Sequence, residues 1–89
     1  MKLNQLRFQL DQIDNQLLAL LDKRQQVVKK VAHLKKKSQQ KIHQPNIETR
    51  IINHKLKQAR QLNLNPQFIK QLFQLIINES KRLQRSLIK

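Results

Sequence analysis

Residues 3–37, LNQLRFQLDQIDNQLLALLDKRQQVVKKVAHLKKK, decide the fold of this chain. Apolar side chains recur here at alternating spacings of three and four, the pattern of an amphipathic helix packed against other helices. These positions, called the apolar seam below, are Leu3, Leu6, Leu10, Ile13, Leu17, Leu20, Val27, Val31 and Leu34. Only Arg24 interrupts the seam. We predict one long helix that ends near Lys37, where the apolar period is lost.

Two shorter helices are predicted after the polar loop that follows Lys37. The second should start at Gln44 or Pro45, because proline suits the first helical position, and should stop at Asn63. Asn65-Pro66, an N-cap residue followed by proline, should open the third. The periodic positions of these helices are Ile47, Ile51, Ile52, Leu56, Ala59 and Leu62, then Ile69, Leu72, Phe73, Ile76, Ile77, Ser80, Leu83 and Leu87. Strand signals are absent, so the predicted fold is all-α with three helices.

The first helix is too long for a monomer of this size. About 35 residues span roughly 50 Å as a helix, whereas a compact domain of 89 residues is about 30 Å across. The apolar seam runs along the whole helix, so the overhanging part would face water unless a second copy covered it. We therefore predict a homodimer with the long helices side by side.

Composition limits the class of protein. With 89 residues, 38% of them hydrophobic, the chain can bury one core, and we predict a single domain over residues 1–89. The absence of cysteine excludes disulfides and thiolate sites, and the absence of glycine excludes Gly-rich phosphate loops. Neither a secretory signal nor a membrane-spanning stretch is found, which predicts a cytoplasmic protein. No metal-ligand spacing relates the three histidines, predicted to lie on the surface: His33, His43 and His54.

Basic residues dominate, with 19 Lys and Arg against 5 Asp and Glu and a net charge of +14, which indicates an anionic partner. Arg24 in the seam would bury a guanidinium, at a cost of several kcal/mol unless an anion meets it. Lys35 lies about 16 Å further along the helix and about 20° around it, so both side chains can converge on one small anion. Arg7 lies about 25 Å away along the axis and could join that site only from a second subunit.

A structural interpretation of the same residues stays open at this point, and it is the favoured one for an arbitrary helical protein. In it, Arg24 pairs with a carboxylate such as Glu48 or Asp14. Arg7 and Asp14 form a surface pair, and Lys35 belongs to a solvated lysine run. The remaining polar positions would be an ordinary edge of the third helix: Ser80 and Gln84.

Several stretches in a fixed order carry a resemblance to a known family. They are Leu6-Arg7, Ile13-Asp14, Leu17 to Leu21 with Arg24, Val31 with Lys35, Ile42 to Glu48, Leu64-Asn65-Pro66, and Phe73 to Ser80 with Gln84. In this order and spacing the chain resembles the all-helical AroQ class of chorismate mutases, over nearly its whole length and without gaps. The resemblance implies an intertwined homodimer of three-helix subunits, with two equivalent active sites that each use an arginine from the partner.

The resemblance also implies a reaction, the rearrangement of chorismate to prephenate in phenylalanine and tyrosine biosynthesis. This reaction is unimolecular and needs no nucleophile, metal or cofactor. The site would hold the enolpyruvyl side chain over the ring in a reactive conformer and stabilise charge that develops on the ether oxygen. Arg24 and Arg7 of the partner subunit would bind the two substrate carboxylates, and Lys35 and Gln84 would hydrogen-bond the ether oxygen.

On the second and third helices, the resemblance implies that Glu48 binds the ring hydroxyl and that Ser80 helps to hold a carboxylate. The sequence departs from the family pattern just before Glu48, where Gln44 and Ile47 replace an acidic residue and an arginine. Ala32 stands where glycine is frequent. We nevertheless predict that Gln44 binds the substrate. The changes at 44 and 47 remove polar contacts at the rim, so weak activity would be compatible with them.

Three other interpretations compete with the mutase. Isochorismate pyruvate lyase has the same fold and resembles the mutases in its arginines, lysine and glutamine. Glu48 and Ser80 of this chain match the mutase pattern rather than the lyase pattern. A basic helical module that binds nucleic acid is supported by the charge of +14 and disfavoured because the cations are spread over all three helices. A structural helical dimer with a decayed site is suggested by Gln44 and Ile47.

Overall fold

The computed structural model describes residues 2–88, and these form three α-helices without any β-strand. The helices are α1 (Leu3–Lys37), α2 (Pro45–Gln61) and α3 (Pro66–Ile88). The all-α class and the three predicted boundaries at Lys37, Pro45 and Pro66 are confirmed. Within the described range, none of the helices combines the length and the apolar character needed to cross a bilayer.

Both loops leave their helix through a residue in the left-handed conformation. Gln39 has φ 58° and Asn63 has φ 57°. The residue after each donates its backbone N–H to a carbonyl in the last helical turn: Gln40 to Lys35 and Leu64 to Ala59, both at 2.8 Å. This is the Schellman arrangement, which satisfies carbonyls that a helix end leaves unpaired. Because the chain has no glycine, residues with side chains occupy these positions.

The start of α3 is fixed by its cap. The Asn65 side-chain oxygen accepts a hydrogen bond from the backbone N–H of Gln67 at 2.9 Å, and Pro66 occupies the first position, where a missing N–H costs nothing. α2 also has a proline, Pro45, at its first position, but its N-cap residue Gln44 makes no side-chain cap hydrogen bond. The two short loops therefore set where α2 and α3 point.

α3 lies between the other two helices and contacts both. Among the described residues, α1 and α2 share no pair of Cα atoms within 8 Å. Ala32 of α1 is fully buried, and its small side chain allows α1 to approach α3 closely. The buried residues are Val28 and Ala32 of α1, Ile52 and Ala59 of α2, and Ile69, Ile77 and Gln84 of α3. The core is small and centred on α3.

The N-terminal part of α1, residues 3–23, extends beyond the part of the helix that has buried side chains, and we call this segment the α1 overhang. All its residues are exposed, and its large apolar side chains are Leu3, Leu6, Phe8, Leu10, Ile13, Leu17, Leu18, Leu20 and Leu21. The chain is 54 Å long with a radius of gyration of 16.2 Å, against about 12 Å for a compact chain of this length. The predicted overhang is confirmed.

The face that α1 buries in its own chain is not the apolar seam. Val28 and Ala32 are buried, whereas the seam residues Val27 and Leu34 are exposed and Val31 is half-buried. Each buried residue follows a seam position, which rotates the contact by about 100° around the helix. The seam therefore remains uncovered within one chain, along almost all of its length.

Charge is distributed unevenly along the chain. Residues 1–23 carry three basic and three acidic side chains and are neutral: Lys2, Arg7 and Lys23 against Asp11, Asp14 and Asp22. The net charge of +14 therefore resides entirely in residues 24–89. The α1 overhang is apolar on one side, and its net charge of −1 (Arg7 and Lys23 against Asp11, Asp14 and Asp22) is balanced by Lys2, while the three-helix part of the chain is strongly cationic.

Substitution at Asn63 should show what the left-handed turn costs. A β-branched residue is disfavoured in this conformation, so Asn63→Val should lower the free energy of unfolding by about 1–2 kcal/mol. Asn63→Gly should stay within about 1 kcal/mol of the original. Urea unfolding at one fixed protein concentration measures both values. Equal stability of the two variants would contradict this account of the turn.

Candidate functional site

A cleft of about 240 Å³ lies where α1, α3 and the start of α2 meet, and we call it the polar cleft. Six of the seven predicted site positions line it: Arg24, Lys35, Gln44, Glu48, Ser80 and Gln84. Arg7 does not line it, because that residue lies on the α1 overhang. Apolar side chains form the rest of the wall: Val28, Val31, Ile42, Ile47, Ile51 and Ile77. One chain therefore gathers the predicted site except for one arginine.

Arg24 is half-buried on α1 and is held by α3. Its Nη1 donates a hydrogen bond to Ser80 Oγ, and Ser80 in turn donates to the Ile76 carbonyl oxygen at 2.9 Å. Burial lowers the pKa of Arg24, but a guanidinium stays charged at neutral pH. Among the described residues no carboxylate lies within 4 Å of it, so the predicted structural pairing with Glu48 or Asp14 is wrong.

Lys35 is half-buried, unlike the lysines that follow it at positions 36, 37 and 41. Its Nζ donates to the carbonyl oxygen of Ile42 at 3.1 Å. Burial lowers the pKa of Lys35, and the negative charge of Glu48 partly offsets that effect. The alternative prediction that Lys35 belongs to a solvated lysine run is wrong. Two further N–H donors of the ammonium are left for a ligand.

Glu48 lies in the first turn of α2, and protein groups hold both of its carboxylate oxygens. Oε2 accepts the backbone N–H of Gln44 at 3.2 Å and lies 3.2 Å from Nδ1 of His43. Oε1 accepts a hydrogen bond from Lys81 Nζ at 2.9 Å. Burial alone raises the pKa of Glu48, but the contacts with Lys81, the Gln44 N–H and His43 outweigh it, and the pKa is lowered.

Gln84 is 5% exposed, and its Oε1 is buried without a hydrogen-bond partner among the described residues. Buried polar atoms are rarely left unpaired, because an unmade hydrogen bond costs about 1–3 kcal/mol. Rotation of the terminal amide exchanges its oxygen and nitrogen, so Gln84 can offer an acceptor or a donor to the cleft. This orphaned group is typical of a residue that binds a ligand.

At the rim, Gln44 and Ile47 replace the polar residues that the resemblance predicts. The Gln44 side chain donates to Gln40 Oε1 at 3.4 Å, while its backbone caps α2 and holds Glu48. Ile47 lines the cleft, and the residue is 45% exposed. Neither residue supplies a charge to the cleft, so its ionic groups come from α1, Glu48 and α3.

Sequence reasoning missed Lys81, which also lines the polar cleft. Its side chain is only 13% exposed. A signal was available, because positions 77, 80, 81 and 84 share one face of a helix by their spacing of three and four. His43 is exposed, as predicted, and nevertheless contacts Glu48. Over residues 2–88, no set of three or more His, Cys, Asp or Glu is placed to hold a metal.

Chemically, the polar cleft is suited to a small anion that also carries a hydroxyl group. Among the residues that the structure describes, it offers three cations, Arg24, Lys35 and Lys81, against the single carboxylate of Glu48. Cationic donors in a partly buried site bind carboxylates through short charge-assisted hydrogen bonds. The ionised Glu48 only accepts hydrogen bonds, and therefore suits a hydroxyl donor.

Relatives of known name match nearly the whole chain. A bifunctional chorismate mutase/prephenate dehydratase of Buchnera aphidicola (subsp. Acyrthosiphon pisum) is 34% identical over 83 residues, 93% of this chain and 22% of the relative. Its counterpart from the subspecies Schizaphis graminum is 34% identical over 82 residues, 92% of this chain and 21% of the relative. The chain thus spans about a fifth of these bifunctional relatives.

A relative of similar length matches as well. The chorismate mutase of Methanocaldococcus jannaschii is 31% identical over 84 residues, which are 94% of this chain and 85% of the relative. The family model of chorismate mutase type II matches residues 6–85, from the α1 overhang to the last turns of α3. With the resemblance to the AroQ class thereby confirmed, the chain belongs to the chorismate mutase type II family.

Proposed function

We propose that this chain catalyses the rearrangement of chorismate to prephenate, in the biosynthesis of phenylalanine and tyrosine. The observation that carries the proposal is the polar cleft itself, in which Arg24, Lys35, Glu48 and Gln84 face one space in a member of this family. The names of the relatives support the same activity. The cytoplasmic location and the organisation as one domain over residues 1–89 stay predictions from the sequence.

Stabilisation of charge on the ether oxygen would be the main catalytic effect. The ether bond breaks as the new carbon–carbon bond forms, and negative charge develops on the oxygen. The Lys35 ammonium is already held by the Ile42 carbonyl at 3.1 Å, so the protein need not reorganise when that charge appears. Gln84 would supply the second donor from the opposite side of the cleft, on α3.

Binding of the two substrate carboxylates and the hydroxyl would select the reactive conformer. Arg24, which donates a hydrogen bond to Ser80, would bind one carboxylate, and the Ser80 hydroxyl would help to hold it. Arg7 of the partner subunit would bind the other. Glu48 would accept a hydrogen bond from the ring hydroxyl. Gln44 would contribute to substrate binding through its position at the rim and through the hydrogen bond from its backbone N–H to Glu48.

A homodimer would complete the site, and three features support it. The α1 overhang exposes a continuous apolar seam that one chain does not cover. An apolar groove of about 250 Å³ borders Arg24 and Ser80, with Leu21, Leu75 and Leu83 in its wall. The charges of residues 1–23 sum to zero, so two chains of charge +14 can meet along the overhang without strong repulsion. This intertwined arrangement would bring Arg7 of the partner subunit to the polar cleft.

Removal of the Lys35 ammonium should abolish most of the activity. Loss of one preorganised donor typically costs roughly 10²- to 10³-fold in rate, so Lys35→Ala should lower kcat by that factor without changing helix content by circular dichroism. The decrease in chorismate absorbance measures the rate.

The matched control for this variant is Lys36→Ala, which removes an exposed lysine one position away and should leave kcat unchanged. Near wild-type turnover by Lys35→Ala would contradict the assigned mechanism. Release of pyruvate from isochorismate, with no conversion of chorismate, would instead favour the lyase.

Mixing two inactive variants tests whether each site is shared between chains. Arg7→Ala and Arg24→Ala should each be nearly inactive alone. After unfolding and refolding together, about half of the dimers are mixed and each has one intact site, so about a quarter of wild-type activity should return. Activity measured after refolding each variant separately is the control. No recovery in the mixture, with mixed dimers verified by mass, would contradict a contribution of Arg7 across the interface.

Disruption of the apolar seam should break the dimer. Light scattering should give roughly twice the chain mass of 10.7 kDa for the wild type. Leu17→Lys places a charge in the seam and should shift the mass towards one chain or unfold the protein. Asn15→Lys adds the same charge about 200° away around the helix and should leave the dimer intact. A folded wild-type monomer at micromolar concentration would overturn the dimer.

A further inference from the structure

Lys81 is the one cation of the polar cleft to which neither the resemblance nor the charge pattern assigns a role. It follows Ser80 on α3, and its side chain is 13% exposed. Its Nζ lies 2.9 Å from Glu48 Oε1 and 3.2 Å from His43 Nδ1. A lysine that buries its ammonium gives up hydration, so the contact with Glu48 has to compensate for that loss.

The contacts around Glu48 leave it with little freedom. An ionised carboxylate has about four acceptor positions. Lys81 occupies one on Oε1, and the Gln44 N–H occupies one on Oε2, beside His43. Both oxygens are thus fixed by groups from different elements, the α2 N-terminus and α3. Glu48 lines the cleft, and a remaining acceptor position can take one further donor there, such as the ring hydroxyl of the substrate.

Lys81 also supplies a charge that α2 lacks. Ile47, one residue before Glu48 and on the same wall of the cleft, is apolar, and no basic side chain of α2 lines the cleft in the described structure. The other cations, Arg24 and Lys35, come from α1 and bond to Ser80 and to the Ile42 carbonyl. Lys81 is therefore the cation that forms an ion pair with the cleft carboxylate.

The acidity of Glu48 agrees with this arrangement. Burial raises its pKa, and the hydrogen bond from Lys81 is the largest of the effects that lower it again. The other groups that face Glu48 are the Gln44 N–H, His43 in the loop before α2, and Lys35 on α1. Loss of Lys81 would leave these in place and would still shift the balance towards the protonated acid.

We propose that Lys81 is a positioning residue for the rearrangement, which keeps Glu48 oriented and ionised as the acceptor for the ring hydroxyl of the substrate. This inference rests on the proposed function. The direction of the expected pH effect follows from the chemistry of Glu48, since protonation removes the negative charge and turns one of its two oxygens into a donor, which weakens the group as an acceptor. Activity should therefore fall as the pH drops through the Glu48 pKa, and loss of Lys81 should move that fall to higher pH.

The experiment compares wild type, Lys81→Met, Lys81→Arg and Lys57→Met. Methionine keeps the length and volume of lysine and removes the charge. Lys57 is exposed on α2, about 180° around the helix from Glu48, and provides the matched loss of one charge. Two readouts are taken: the Glu48 pKa by carbon NMR of its labelled carboxyl group, without substrate, and the pH profile of kcat/KM for chorismate.

Lys81→Met should raise the Glu48 pKa, move the acid limb of the pH profile to higher pH, and lower kcat/KM roughly tenfold or more at neutral pH. Lys81→Arg should restore most of the activity and the wild-type acid limb. Lys57→Met should behave as wild type in both readouts. The NMR readout needs no activity and excludes a purely structural role, which would leave the Glu48 pKa unchanged.

Three results would overturn the proposal. An unchanged Glu48 pKa in Lys81→Met would show that Lys81 does not control the carboxyl group. A raised KM with an unchanged pH profile would assign Lys81 to direct substrate contact instead. Wild-type activity in Lys81→Met would remove the role altogether. Failure of the wild-type protein to convert chorismate is a separate outcome, which would overturn the proposed function and this role with it.

Discussion

The packing of α3 between α1 and α2 is the contact on which the polar cleft depends. α1 and α2 share no pair of Cα atoms within 8 Å among the described residues, so the distance between Arg24 and Glu48 depends on how α3 packs against both helices. Ala32 and Ile77 are buried in this contact region, and close packing there leaves little freedom for the helices to slide. With the helices fixed, the turn on which a residue lies determines where its polar side chain enters the cleft.

The polar side chains of the cleft are held largely by other groups of the protein. Arg24 is held by Ser80, Lys35 by the Ile42 carbonyl, and Glu48 by Lys81 and the Gln44 N–H. Side chains that are already ordered lose little entropy on binding, and their dipoles are aligned in advance. Gln84, with its unpaired buried oxygen, is the exception. The proposed intertwined dimer would add Arg7 of the partner subunit to a frame that one chain has already built.

Much of the fold could be predicted because its signals are local. Pro45, Pro66 and the loss of apolar period after Lys37 mark helix ends through short-range geometry, and the length of α1 follows from its seam. The face that α1 buries in its own chain was not predictable from periodicity, because Val28 and Ala32 lie beside an equally apolar seam. Lys81 was missed for a related reason: its partner Glu48 lies on another helix, and only the fold brings them together.

The uneven charge along the chain has a consequence for the rate at which a ligand reaches the cleft. All of the net charge of +14 lies in residues 24–89, the part that contains the cleft, while the charges of residues 1–23 cancel. A field of this kind draws a dianion towards the cationic end of the molecule and raises the association rate, an advantage that falls with ionic strength. A product of equal charge is held by the same field. Fast capture and slow departure then come from one electrostatic source.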